Sequence, residues 1–176
     1  MSFFKEELKN VKAFVFDVDG VLSKDVLPVG RTGVLIRTAN VKDGFAIRNA
    51  VKSGFPIAII TGGFSNRGRL RYKQLGVSFY YQGVRDKVKC LNNFMKKNNL
   101  TPENILFMGD DLVDYNVMKT VGIPTCPKDA VPDIKEISKY VSDKPGGEGC
   151  VRDVIEQVMR AQNKWFTPEM LKTRAF

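Results

Sequence analysis

Val11-Lys12-Ala13-Phe14-Val15-Phe16-Asp17-Val18-Asp19-Gly20 is the stretch on which the reading of this chain turns. Its first six residues are apolar but for one lysine, rich in valine and phenylalanine, and the right length for a strand. Continuous rather than alternating apolarity marks burial on both faces, the habit of a parallel sheet covered by helices. Pro56-Ile57-Ala58-Ile59-Ile60 and Asn104-Ile105-Leu106-Phe107-Met108 repeat the pattern. Shorter strand candidates lie at 78–81, 123–126 and 140–141. Helical periodicity fills 43–53, 65–75, 86–98, 111–121 and 149–162, and Gly54, Gly76 and Gly122 stand where helices commonly stop. Strand and helix in alternation predict an α/β chain, a Rossmann-like doubly wound parallel sheet with right-handed crossovers, over residues 1–176 as a single domain. Residues 21–41 break the rhythm. Valine, leucine and isoleucine around Pro28, Gly30 and Gly33 predict a β-hairpin flap directly after the first strand. The tail, about 163–176, has no period.

Composition narrows the chemistry. A length of 176 residues supports a sizeable core. Histidine is absent, which removes Ser-His-Asp and Cys-His schemes and leaves carboxylates, lysine, hydroxyls or a metal. Cys90, Cys126 and Cys150 form no C-x-x-C pair, so neither a disulfide framework nor a zinc site is expected. The net charge of +9 favours anionic partners. Its densest cluster, Arg67 to Lys73, falls in a predicted helix without the aromatic interleaving of a nucleic-acid surface. A small anion is expected and nucleic acid is not. No apolar run reaches the roughly 18 residues of a membrane span, and the start lacks a signal-peptide pattern, so a cytoplasmic location without membrane association is expected.

Ligands of open α/β sheets bind beyond the carboxyl ends of the strands. The first strand ends there in Asp17 and Asp19, the second in Thr61-Gly62-Gly63, and the third in Gly109-Asp110-Asp111 with Asp114 nearby. Lys87 opens a predicted helix after the turn at Gln82-Gly83. Crowded carboxylates need a cation, and hard oxygen donors select Mg²⁺, which commonly binds through one or two carboxylates and a substrate phosphate. Thr61, Lys87 and backbone N–H groups would hold the remaining phosphate oxygens. Asp17, in line with phosphorus, would attack to form an aspartyl-phosphate. Asp19 would protonate the leaving alcohol and then activate water. Taken singly, each of these motifs is also ordinary turn or cap chemistry. Their order and common position at strand ends carry the reading.

These residues resemble the haloacid dehalogenase-like (HAD) phosphohydrolases. Asp17-Val18-Asp19-Gly20-Val21, Ile60-Thr61-Gly62, Lys87 and Gly109-Asp110-Asp111-Leu112-Val113-Asp114 match that family's four motifs in order. The resemblance implies Asp17 as nucleophile and Asp19 as acid/base. It implies Mg²⁺ on Asp17, the main-chain carbonyl of Asp19 and Asp110, with Asp111 and Asp114 in support. Within the superfamily the chain is similar to the 3-deoxy-D-manno-octulosonate 8-phosphate (KDO 8-phosphate) phosphatases. That likeness runs through Asn40-Val41-Lys42-Asp43-Gly44, Gln82 to Lys87, and Gly146-Gly147-Glu148-Gly149 with Arg152-Asp153. It implies a phosphorylated sugar acid as substrate and a place in lipopolysaccharide precursor synthesis. No insertion is large enough for a cap domain, and the resemblance implies a homotetramer whose neighbouring subunit completes the site through the hairpin or the tail. Gly63 departs from the charged residue that such phosphatases often carry there, which leaves a nine-carbon sugar acid 9-phosphate as an alternative substrate. Arg67, Arg71 and Arg152 are candidate substrate contacts. A non-catalytic HAD-like scaffold, a signalling receiver and a phosphatase of nucleic-acid ends are the competing classes. Asp19 argues against the receiver and the intact acidic set against the scaffold.

Overall fold

A computed structural model describes residues 6–167. Six parallel strands form one sheet: β1 (Ala13–Phe16), β2 (Ile57–Ile60), β3 (Phe79–Tyr81), β4 (Ile105–Met108), β5 (Ile123–Cys126) and β6 (Tyr140–Val141). Their spatial order is β3-β2-β1-β4-β5-β6, every neighbouring pair being parallel. The chain runs outward from β1 to β3, then returns to the other side of β1 with β4. The carboxyl ends of β1 and β4 therefore flank the topological switch point, where such sheets open a crevice.

Both faces of the sheet are dry, as the continuous apolar strands required. Phe14 and Phe16 of β1 join Ile57, Ile59, Leu106 and Met108 in one core. Ala13 and Val15, pointing the other way, join Ala58, Ile60, Ile105 and Phe107 in the second. The first face is covered by α1 (Val41–Lys52), α2 (Asn66–Gln74) and α6 (Cys150–Ala161). The second lies under α3 (Lys87–Asn98), α4 (Tyr115–Met118) and α5 (Pro132–Ile137). In α6 the buried Val151, Val154, Ile155, Val158 and Met159 make a broad apolar stripe. Each such side chain, fully buried, stabilises by about 1.5–3 kcal/mol.

Three features differ from the sequence reading. The predicted hairpin at 21–41 has no strand ladder. It holds one antiparallel bridge, Val29 to Leu35, with Gly30 N–H donating to the Val34 carbonyl at 2.8 Å. Beyond the buried Val21 and Leu22, Val26, Val29, Val34, Leu35 and Ile36 are exposed, so the outer part of this excursion has no face to bury, and two strands without a buried face are marginal in water. The predicted helix at 111–121 is a 3₁₀ turn (Leu112–Asp114) followed by the single α-turn α4, because the Asp111 side chain caps Leu112 N–H and sets a tight start. The six-residue α5, with Pro132 in its first turn, was not foreseen, being too short to show a period. No cap domain is present among the described residues, and none of their helices is long and apolar enough to cross a membrane. Of the tail, residues 168–176 lie outside the described residues.

Candidate active site

Asp17 follows β1 directly, and its N–H donates to the Met108 carbonyl at 3.1 Å, which carries the β1–β4 pairing one residue past the strand. Its carboxylate is buried at the switch point. Lys87, first residue of α3, comes in from beneath. Asp86 caps that helix by accepting from Lys89 N–H, which fixes the helix start and so the origin of the lysine side chain. Lys87 Nζ lies 3.0 Å from Asp17 Oδ2 and 2.6 Å from Asp114 Oδ1. Asp114 Oδ2 accepts the Asp110 N–H at 3.2 Å, so one fully buried carboxylate orients both the lysine and the Asp110 backbone. Gly109 admits that arrangement: a Cβ there would sit 2.5 Å from the Asp114 side chain. Gly20, at φ +78°, likewise leaves room that a Cβ would take from the Asp110 carboxylate.

One ammonium faces three carboxylates, and the balance shows in their titration. Burial, reinforced by Asp114 and only partly offset by Lys87, pushes Asp17 up to about 7. Burial together with Asp17, Asp114 and Asp111 pushes Asp110 up to about 8. For Lys87, burial works to lower the pKa, yet Asp17 and Asp114 outweigh it and hold the ammonium above the usual lysine range. Carboxylate oxygens of Asp17, Asp110 and Asp114 all lie within 4.8 Å of one another. Asp17 Oδ1 and Asp110 Oδ1 are buried without a hydrogen-bond partner. Orphaned oxygens beside excess negative charge are the donor set a hard divalent cation requires, so the residues fit Mg²⁺.

The other expected residues fall at varied distances from this cluster. Thr61 is buried at the end of β2, beside β1; its N–H donates to the Tyr81 carbonyl and its hydroxyl accepts from Gly63 N–H at 3.1 Å. Gly62 is exposed next to it. Asp111 is exposed and acts as a local cap. Arg67 and Arg71 line a cavity of about 890 Å³ between α2 and the 21–41 excursion. Arg152 is not brought to the cluster. Its guanidinium stacks over Trp165 and Phe45, at 5.3 and 5.8 Å from the ring centroids, and its Nε bonds Glu156 at 3.1 Å.

Sequence reasoning passed over Arg37. From the excursion, its Nε and Nη2 donate to the two carboxylate oxygens of Asp19, each at 2.7 Å, and Nη1 donates to the Phe64 carbonyl at 3.1 Å. Nothing in the local pattern around Val34 to Thr38 distinguishes this arginine from a solvated one. A basic residue facing an acidic motif across an insertion was the available signal. Asn40 was quoted only as part of a motif. Its side chain caps α1 through Lys42 N–H at 2.8 Å and also donates to the Gly147 carbonyl at 3.2 Å, tying two loops at the site's rim.

Comparison with known proteins gives this geometry a family. A profile described as haloacid dehalogenase-like hydrolase matches residues 71–154. The 3-deoxy-D-manno-octulosonate 8-phosphate phosphatase KdsC of Escherichia coli (strain K12) is 36% identical over 156 residues, 89% of this chain and 83% of that protein. Among solved structures, the phosphatase of that name from Moraxella catarrhalis, in complex with magnesium, phosphate and KDO, superposes with a TM-score of 0.90 at 31% identity over 99% of both chains. The Yersinia pestis phosphatase of that name gives 0.88 at 34% identity, over 92% of this chain and 87% of that one. With relatives this similar over nearly its whole length, the chain belongs to the haloacid dehalogenase-like hydrolases.

Proposed function

We propose that the chain is a Mg²⁺-dependent phosphomonoesterase that hydrolyses KDO 8-phosphate to KDO and phosphate. The observation that carries it is the buried cluster of Asp17, Asp110, Asp114 and Lys87, with orphaned carboxylate oxygens, at the mouth of the sheet. The similarity to named KDO 8-phosphate phosphatases supports the substrate. Mg²⁺ would be held by Asp17, the Asp19 main-chain carbonyl and Asp110, where it would screen the carboxylates and draw charge from a phosphate oxygen.

The residues then divide the work. Asp17 attacks phosphorus; its Oδ–P bond forms as the bond to the leaving oxygen breaks. Asp19 gives a proton to that oxygen, releasing the alcohol. In the second half, Asp19 takes a proton from water, which attacks phosphorus and frees Asp17 with phosphate. Thr61 and Lys87 hold the phosphoryl oxygens, and Asp114 keeps Lys87 charged and in place. Arg67 and Arg71, on the wall of the neighbouring cavity, are proposed contacts of the sugar. We assign Arg152 a structural role on α1 and α6 instead, since its guanidinium is committed to Phe45, Trp165 and Glu156.

Closure of the site is proposed to come from assembly. An aspartyl-phosphate exposed to bulk water would lose much of its electrostatic stabilisation. The exposed Val26, Val29, Val34, Leu35 and Ile36 of the excursion suit a contact with neighbouring copies, as in a homotetramer. A phosphomonoester screen with Mg²⁺ and with EDTA tests the reading. KDO 8-phosphate should be turned over best, EDTA should abolish turnover, and Asp17→Asn should lower kcat by at least about a thousandfold. Full activity in that variant would remove Asp17 as nucleophile. A strong preference for a nine-carbon sugar acid 9-phosphate would move the substrate but leave the chemistry standing.

A further inference from the structure

The position of Arg37 has no explanation in hydrolysis itself. Its side chain is only 12% exposed although its chain neighbours Val34, Leu35 and Ile36 face solvent. Three of its contacts fix it: both oxygens of Asp19 and the carbonyl of Phe64. Gly63 makes the fit possible, because a Cβ there would run into Arg37 Nη2 and lie 3.2 Å from Asp19 Oδ2. The guanidinium is thus seated on bare backbone beside the proposed proton donor.

That seat has a chemical consequence. A leaving oxygen protonated by Asp19 must lie against Asp19, so the atoms beyond it come within reach of Arg37. A guanidinium carries five N–H donors. Nε and Nη2 grip Asp19 and one Nη1–H goes to Phe64, which leaves one donor on each terminal nitrogen for a further anion. Lys87 cannot serve there, being sunk between Asp17 and Asp114. A carboxylate brought near Asp19 would be repelled unless a cation stood between them. The adjoining cavity of about 890 Å³ is lined by Arg31, Arg37, Arg67 and Arg71, and no Asp or Glu is among its described lining residues. Neutral sugars would have no need of such a wall.

We propose that Arg37 is a specificity-determining residue that receives a carboxylate on the leaving-group half of the phosphoester, and that Gly63 is the seat that admits it. The inference rests on the phosphatase reading above. It adds that the excursion from residue 21 to residue 40 delivers the residue that selects acids over neutral sugars, leaving the phosphoryl half of the site to chemistry common to both.

The test uses full-length protein with Mg²⁺ and two matched pairs: KDO 8-phosphate against its analogue with C1 reduced to an alcohol, and 6-phosphogluconate against glucose 6-phosphate. Within each pair the leaving group is the same kind of primary alcohol. Wild type should favour the acid in kcat/KM. In Arg37→Ala the acid-to-neutral ratio should fall by about ten- to a hundredfold, mainly through KM for the acid, as expected for a lost charged hydrogen-bond pair. Arg37→Lys should recover part of the ratio. Gly63→Ala, whose Cβ would displace the far end of Arg37 and press on Asp19 Oδ2, should lower it as well. The proposal is overturned if wild type shows no preference for acids, or if Arg37→Ala lowers kcat on both members of a pair and leaves their ratio intact, since Arg37 would then act only by holding Asp19. A wild-type protein that turns over no phosphomonoester, p-nitrophenyl phosphate included, would overturn the phosphatase reading together with this one.

Discussion

Asp17, Asp110 and Asp43 each carry a carboxylate in surroundings that resist its charge. Asp17 is pushed to about 7 by burial and by Asp114, Asp110 to about 8 by burial and by Asp17, Asp114 and Asp111, and burial alone carries Asp43 to about 6 against the pull of backbone N–H groups from Arg152 and Gly149. In the unfolded chain these groups would titrate near 3.9 or so. A carboxyl whose pKa is raised by folding holds its proton more tightly in the folded state. The stability it lends is whole below about pH 4 and is lost as pH climbs through the folded values of about 6 to 8. In EDTA, the melting temperature should therefore fall between about pH 5 and pH 8.5. Added Mg²⁺ should raise it more at the alkaline end, since metal and proton compete for the same oxygens. Asp110→Asn should flatten the slope in EDTA. Thermal melts across that range decide the matter, and a melting temperature that rises with pH in EDTA would show that the cluster is not strained by its own charge. Thr61, Lys87 and Asp110 were legible in the sequence because each stands at a strand end or helix start, where local pattern fixes position. Arg37 was not, because its partner lies 18 residues away and only the path of the intervening chain brings them together.

Among the elements, α1 shows how a helix end can serve the site. Asn40 Oδ1 accepts from Lys42 N–H and Asp43 N–H, the ordinary work of an N-cap, while Nδ2 reaches the Gly147 carbonyl. The same residue therefore starts a helix and anchors the loop that leads into α6. Gly146 in that loop sits so close to the Gly20 backbone that a Cβ would collide with it, which couples the loop to the turn after β1. Asn40→Ala should cost about 1–2 kcal/mol in urea denaturation, since it removes both roles. Asn40→Asp keeps the acceptor and loses the donor, so its loss should be smaller. Equal losses would mean that the tie to Gly147 carries all of the effect and the cap none. The strands and the longer helices could be read from apolar runs and glycine stops. The break at 111–121 could not, because an aspartate side chain competing for local N–H groups decides it rather than periodicity. α5 is shorter than two turns and leaves no periodic trace.

For the whole molecule, no cap is present among the described residues, and the proposed closure of the site would come from the excursion and neighbouring copies. Its exposed valines, leucine and isoleucine are an apolar surface on a chain of net charge +9, a combination suited to specific contact rather than indiscriminate aggregation. Light scattering at micromolar concentration should give a mass near four chains. The pair Val29→Asp and Val34→Asp should shift it toward smaller species and lower kcat/KM by about tenfold or more, as water gains access to the site. A wild-type monomer of full activity would refute the shared-site reading.

The sequence by itself determined the parallel α/β architecture, the placement of Asp17, Asp19, Thr61 and Asp110 at strand ends and of Lys87 at a helix start, and the class of reaction they suit. These depend on period, strand length and the residue that follows each strand, all of which are local. Only the tertiary structure decided that Asp114 would join Lys87 to the Asp110 backbone, and that residues 21–40 would bend back without forming a ladder. It also decided that Arg37 would close on Asp19 over the bare backbone of Gly63. Such contacts arise where long side chains cross between segments that share no pattern, so their geometry depends on the packed path of the backbone. The acidic segment after β1 thus announced the chemistry, and the fold chose the cation that stands beside it.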